Sequence, residues 1–206
     1  MFTNQYRVKS IHKTGKEHWN HGGKIILPIS ASEELFSQEI TFPIQFEISS
    51  QNKTTHCGVW EFSAKEGFCY LPDWLMIQLN IKENDSISIK NVSLPKANFI
   101  KFNPQTESFL LLDDPKTILE QHLPEYTCLT VGDIIPIPFS GFIYMLQVME
   151  LKPNQAVLIN ETDCELEFYE TTKTYQVPTL ANNNIKKSFP VQNKFTPFSG
   201  KGYKLN

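Results

Sequence analysis

Histidine and cysteine are the residues of this 206-residue chain most able to do chemistry, and three of its five histidines lie close together. His18 and His21 sit in the stretch GKEHWNHGGK, with His12 just upstream. Imidazole nitrogens ligate zinc and related ions, but a metal site needs several ligands held rigidly. This stretch is polar and glycine-rich, so it reads as a solvated loop, and neither a metal nor a cofactor is expected. His56 and Cys57 pair a base with a thiol, the combination that activates a cysteine nucleophile. Adjacent residues on a strand point to opposite faces, however, so these two cannot easily meet. GGK at 22–24 has the look of a phosphate-binding loop, yet it lacks the first glycine at the required spacing. Ile25 also stands where Ser or Thr would hold magnesium. The plainer reading is two glycines easing a turn before a strand, KIILP. The chain contains no G-x-S-x-G, H-E-x-x-H or Asp-Thr/Ser-Gly. No catalytic residues are therefore assigned and the chain is read as a non-enzyme. The competing enzyme reading needs a convergent polar cluster with shifted titration in a pocket.

A different kind of chemistry is written in FSGKGYKL, residues 198–205. Linkers use glycine but rarely set large apolar residues around it. An extended segment that docks on a foreign sheet edge gains backbone hydrogen bonds for affinity and drops side chains into pockets for specificity. Gly200 and Gly202 share the strand face of Phe198, leaving that face bare enough to lie flush on a partner. Leu205 is seven positions after Phe198, so a regular strand would send it to the opposite face. The glycines permit the bend that brings both anchors to one surface. Burying a Phe and a Leu is worth about 1.5–3 kcal/mol each before ordering costs. A roughly micromolar motif follows.

The elements around these residues read as β-rich. ITFPIQFEIS alternates Ile40, Phe42, Ile44, Phe46 and Ile48 with Thr41, Pro43, Gln45 and Glu47, the period of a half-buried strand. Pro43 places that strand at an edge or a bulge. GVWEF and GFCYLP flank SAKEG and predict a hairpin. Pro72 opens a short helix, PDWLMIQLN, and SISIKNVSL is another alternating strand. A second unit starts near residue 100. There Asp114 before Pro115 signals the start of helix PKTILEQHL. IIPIPF and FIYMLQVMEL pair across Ser140-Gly141, KPNQ turns, AVLIN returns and ELEFY closes. The predicted division is 1–100 and 101–170, followed by a flexible tail over 171–206 with no apolar period.

Composition sets the outer bounds. Forty per cent hydrophobic and twenty per cent charged residues is ordinary for a globular chain that buries a core without disulfide help. Cys57, Cys69, Cys128 and Cys164 lack CxxC spacing and read as buried reduced thiols, with a disulfide or metal role as the alternative. The apolar run IIPIPFSGFIYMLQVM is broken by Pro136, Pro138 and Ser140-Gly141, so no membrane insertion is expected. No secretory signal is visible either, which predicts a cytoplasmic or nuclear protein. Residues 1–170 carry 13 basic and 22 acidic side chains, a net −9, whereas residues 171–206 carry six lysines and no acid. An acidic body with a basic tail does not suit nucleic-acid binding by the body.

GGKIILP, ITFPIQFEI, THCGVWEFSAKEGFCYLPDWLM, KFNPQTESFLLLDDPKTILE, CLTVGDII and YMLQVMELKP resemble, in order and spacing, the N-terminal domain of the ubiquitin fusion degradation protein 1 family. FSGKGYKL is similar to that family's SHP box, Phe-x-Gly-x-Gly-x-x-Leu, at Phe198, Gly200, Gly202 and Leu205. The resemblance implies a double-psi β-barrel followed by a smaller α+β subdomain. It implies a non-catalytic adaptor that binds ubiquitin chains and offers the SHP box to the N domain of the valosin-containing AAA+ ATPase. With nuclear protein localization protein 4, such adaptors deliver ubiquitylated substrates for unfolding and proteasomal degradation, partly at the ER. The segment that binds this last partner generally follows the SHP box in the family, and this sequence stops at Asn206. The resemblance names no ubiquitin-contacting residues.

Overall fold

A computed structural model describes residues 2–51 and 53–169. The SHP-box residues Phe198, Gly200, Gly202 and Leu205, and the whole predicted tail, lie outside the described residues. Six strands close a barrel: β1 (Thr3–Ser10), β2 (Lys24–Pro28), β3 (Gln45–Ser50), β4 (Lys53–Ala64), β5 (Phe68–Leu71) and β6 (Ser86–Val92). Around the barrel the order is β1-β5-β2-β4-β3-β6. Two pairs, β1–β5 and β2–β4, run parallel and the others antiparallel. Helix α1 (Ile29–Phe36) follows β2, and α2 (Asp73–Leu79) follows β5. This is the strand-rich barrel that the sequence predicts.

A smaller α+β region follows. β7 (Phe99–Pro104) leads to α3 (Pro115–His122), then β8 (Cys128–Thr130), β9 (Ile134–Phe139), β10 (Phe142–Lys152), β11 (Ala156–Leu158) and β12 (Glu165–Phe168). Four of these strands form a sheet in the order β12-β7-β10-β9, while β8 and β11 pair by themselves. Asp114 caps α3 as its sequence predicts, its carboxylate accepting from the Thr117 amide at 3.1 Å. β9 and β10 meet in a two-residue turn with positive φ at both Ser140 (51°) and Gly141 (80°), a backbone that matches the twist of the flanking strands.

Three local expectations give way. The stretches GVWEF and GFCYLP do form β4 and β5, but they are not a hairpin, because β2 lies between them in the barrel. All of Ile25–Pro28 is buried, as suits a central strand covered on both faces. The strand begins only at Gln45, which is buried along with Ile44 and Phe46, so the alternation predicted over 40–48 runs only from Phe46, and Phe42 stands 68% exposed. Pro43, with no amide to donate, marks the point where the ladder stops being possible. AVLIN returns not onto β10 but onto β8.

The core is largely one cluster running through both regions. It joins Phe46, Ile48, Cys57 and Leu71 of the barrel to Ile100, Phe102, Phe109 and Leu146 of the second sheet. A second, smaller cluster gathers Ile11, Ile26 and Ala64 under Trp19, Trp60 and Tyr70. Among the described residues no helix is long and apolar enough to cross a membrane.

Candidate functional site

The three N-terminal histidines end up with separate duties. His12 reaches Asp73 at 3.2 Å, beside Asn20, whose side-chain oxygen accepts from the Asp73 amide at 2.8 Å. Ser10 donates to the same carboxylate at 2.6 Å. These contacts tie the segment after β1 to the first turn of α2. His18 lies edge-on to Trp19. His21 offers its backbone carbonyl to the Tyr126 hydroxyl at 2.6 Å. Among the described residues no group of three His, Cys, Asp or Glu side chains is arranged to hold a metal ion. Nor is the stretch a bare solvated loop. It forms two short 3-10 turns, with Trp19 stacked on Trp60 at 5.0 Å and the ammonium groups of Lys16 and Lys24 over those rings.

His56 and Cys57 project to opposite faces of β4, as strand geometry requires. Cys57 is fully buried, and burial pushes its thiol well above the ordinary range, which keeps it a protonated, inert group. All four cysteines are free thiols, with Cys164 the one that is only partly buried.

Around His56 the fold builds a polar cluster from both regions. Its Nδ1 lies 3.0 Å from Thr130 Oγ1, and its Nε2 lies 3.9 Å from Glu47, its cross-strand neighbour. One residue earlier, Thr55 donates to Asp133 at 2.5 Å. Thr55 and Asp133 are 0% and 1% exposed. Desolvation raises the Asp133 carboxyl to about 7, against the pull of its hydrogen bonds to Thr55 and Thr130. Desolvation also lowers the pKa of His56, with Glu47 opposing. Perturbed titratable groups often mark active sites. Here they are packed between β4 and the β8–β9 turn, and none of them lines the cavity between α3 and β12. The cluster ties the two regions together. The VGD turn shows Asp133 in the sequence, but nothing local reveals that Thr55 arrives opposite it.

GGK belongs to the same seam. A Cβ on Gly23 would stand 2.6 Å from Tyr126 Cδ1, and one on Gly22 would stand 3.1 Å from the Glu125 carbonyl oxygen. Gly58 is tighter still, with Thr127 Oγ1 at 2.0 Å from the missing Cβ. The glycines let the barrel backbone lie directly on residues 125–127, rather than easing a turn or cradling phosphate. Trp74 donates its indole N–H to the Gly22 carbonyl at 2.8 Å, and the single hydroxyl proton of Tyr126 is shared between the His21 and Pro136 carbonyls, each 2.6 Å away.

Phe42, Phe142 and Ile143 are more than half exposed, and a cavity of about 460 Å³ lies between α3 and β12. Residues 2–95 match the family model described as Ubiquitin fusion degradation protein UFD1, N-terminal subdomain 1, and residues 96–171 match that of N-terminal subdomain 2. The mouse protein named Ubiquitin recognition factor in ER-associated degradation protein 1 is 36% identical over 219 residues, covering 100% of this chain and 71% of that protein. The Ubiquitin fusion degradation protein 1 homolog of Dictyostelium discoideum is 44% identical over 155 residues, 74% of this chain and 47% of its own length. Ubiquitin fusion degradation protein 1 of Saccharomyces cerevisiae is 37% identical over 158 residues, 74% of this chain and 44% of its own. By both measures, two adjoining family models and relatives more than a third identical over the stretches they match, this chain belongs to the ubiquitin fusion degradation protein 1 family.

Proposed function

We propose that this protein is a non-catalytic adaptor of the ubiquitin system. Its folded part, divided at 1–100 and 101–170, holds ubiquitylated cargo. Its segment 171–206 carries the SHP box, with Phe198, Gly200, Gly202 and Leu205 engaging the N domain of the valosin-containing AAA+ ATPase. The adaptor acts in the cytoplasm and nucleus, partly at the ER surface, and feeds substrates to the proteasome. The observation that carries this reading is the match along the whole chain to a relative named for ubiquitin recognition in ER-associated degradation. Sequence supplies the second half: an apolar–glycine motif standing in a stretch with no acidic residue.

The mechanism is tethering. Joining two weak sites on one chain raises the local concentration of cargo at the motor, to about millimolar for a short flexible connection. The enzyme reading needs a substrate to reach the polar cluster at Asp133 and His56, and there Thr55 and Asp133 are buried. Calorimetry of the full chain against ubiquitin chains of defined linkage should give saturable binding. Phe198→Ala should abolish binding to the ATPase N domain while leaving ubiquitin binding intact. An adaptor for some other cargo would bind the ATPase but no ubiquitin chain. Co-purification from cells reports the ATPase, ubiquitin and nuclear protein localization protein 4 together.

A further inference from the structure

β12 ends its sheet, and among the described residues its outer edge has no strand beside it. The amides of Glu165 and Tyr169 donate inward, to the carbonyls of Asn98 and Phe102. Backbone groups alternate along a strand, so the N–H and C=O of Leu166 and Phe168 face outward. Next to this edge lies the cavity of about 460 Å³, floored by Ile100, Leu123 and Leu166 and rimmed by Glu120, Glu161 and Asp163. The three floor residues are at most 8% exposed. None of the three rim carboxylates forms an ion pair with a described residue; Lys96 donates to the backbone carbonyl of Glu161 at 3.2 Å.

We propose that this edge and cavity form a docking groove for an extended, lysine-bearing peptide segment of a partner protein. The segment adds as a fifth strand beside β12. One lysine enters the cavity, laying its aliphatic stem on the apolar floor and its ammonium among the rim carboxylates. An ammonium on a four-carbon stem suits this lining, because apolar contact and negative charge lie at different depths of one cavity. An acidic segment is repelled by the same rim. The groove uses none of the SHP-box residues, so its success or failure leaves the SHP-box reading where it is.

The test uses the full 206-residue chain and a blocked heptapeptide of alternating valine and lysine. Controls are the same peptide with glutamate for lysine and the lysine peptide N-methylated at alternate residues. Amide shifts on titration should concentrate at residues 163–168 with the lysine peptide and be absent with both controls. Glu120→Gln combined with Asp163→Asn should weaken binding about fivefold. Cys164 lines the cavity and is the only partly exposed thiol, so the lysine peptide should slow its alkylation. Equal shifts from the glutamate or N-methylated peptide would overturn the groove, as would unchanged affinity in the double variant or shifts that avoid 163–168.

Discussion

At Asp133 two effects compete, and the sizes decide which prevails. Three hydrogen bonds favour the carboxylate, yet burial outweighs them and lifts the carboxyl to about 7. In the unfolded chain it returns to about 4. The native state therefore binds this proton more tightly than the unfolded one. Asp133's contribution to stability is greatest below the unfolded value and is lost as pH rises through the native one. His56 works in the opposite sense. Its lowered pKa means that charging it on acidification costs stability over the window just below its ordinary value. Glu47 faces His56 and softens that cost. Comparing the protein with Asp133→Asn cancels the histidine and isolates the aspartate. Between pH 7 and pH 5 the wild type should gain about 2 kcal/mol relative to that variant. Urea unfolding at the two pH values measures it, and an unchanged difference would mean that Asp133 is ionised in place.

The elements divide by whether their pairing is local. The β9–β10 hairpin was legible because Ser140-Gly141 supplies a two-residue turn at the point of reversal, and α3 was legible because Asp114-Pro115 supplies both cap and preset φ. The β4–β5 misreading has the opposite origin. A polar stretch ending in Gly67 looks like a hairpin loop, but the fully buried β2, some forty residues earlier, takes the place between the two strands. A parallel pairing across that distance leaves no mark in either strand's own pattern. The glycines of the seam were visible as residues and invisible in role, since Tyr126 and Thr127 lie far along the chain. That seam is testable at Gly58. A methyl group there would meet both Oγ1 and Cβ of Thr127, at 2.0 and 2.6 Å. Gly58→Ala should cost about 1–3 kcal/mol through overpacking. Gly67→Ala is the control: its surroundings are open but its φ is +78°, and it should cost about 1 kcal/mol through backbone strain alone. A urea midpoint that falls no further for Gly58 than for Gly67, at unchanged slope, would show that the seam yields freely.

For the whole molecule the governing fact is charge. Residues 1–170 sum to −9, and the six lysines after them carry the opposite sign. The barrel and the second sheet share one hydrophobic core, so these acids sit on a single fixed framework. If that acidic surface meets the basic surroundings of ubiquitin, attraction between exposed charges should govern the encounter and fade as salt shortens its range from about 10 Å at 0.1 M to about 3 Å at 1 M. Raising ionic strength across that window should weaken binding of ubiquitin chains about fivefold, chiefly by slowing association. Phe198→Ala should show the same salt slope if, as proposed, the motif serves a different partner. A variant with the six tail lysines changed to glutamine should bind ubiquitin no more weakly, since lysines repel a basic partner. Binding that ignores salt would mean apolar surface, such as the exposed Phe42 or Phe142, meets the cargo instead. Binding lost with the lysines would move cargo recognition from the folded part to the segment that carries the SHP box.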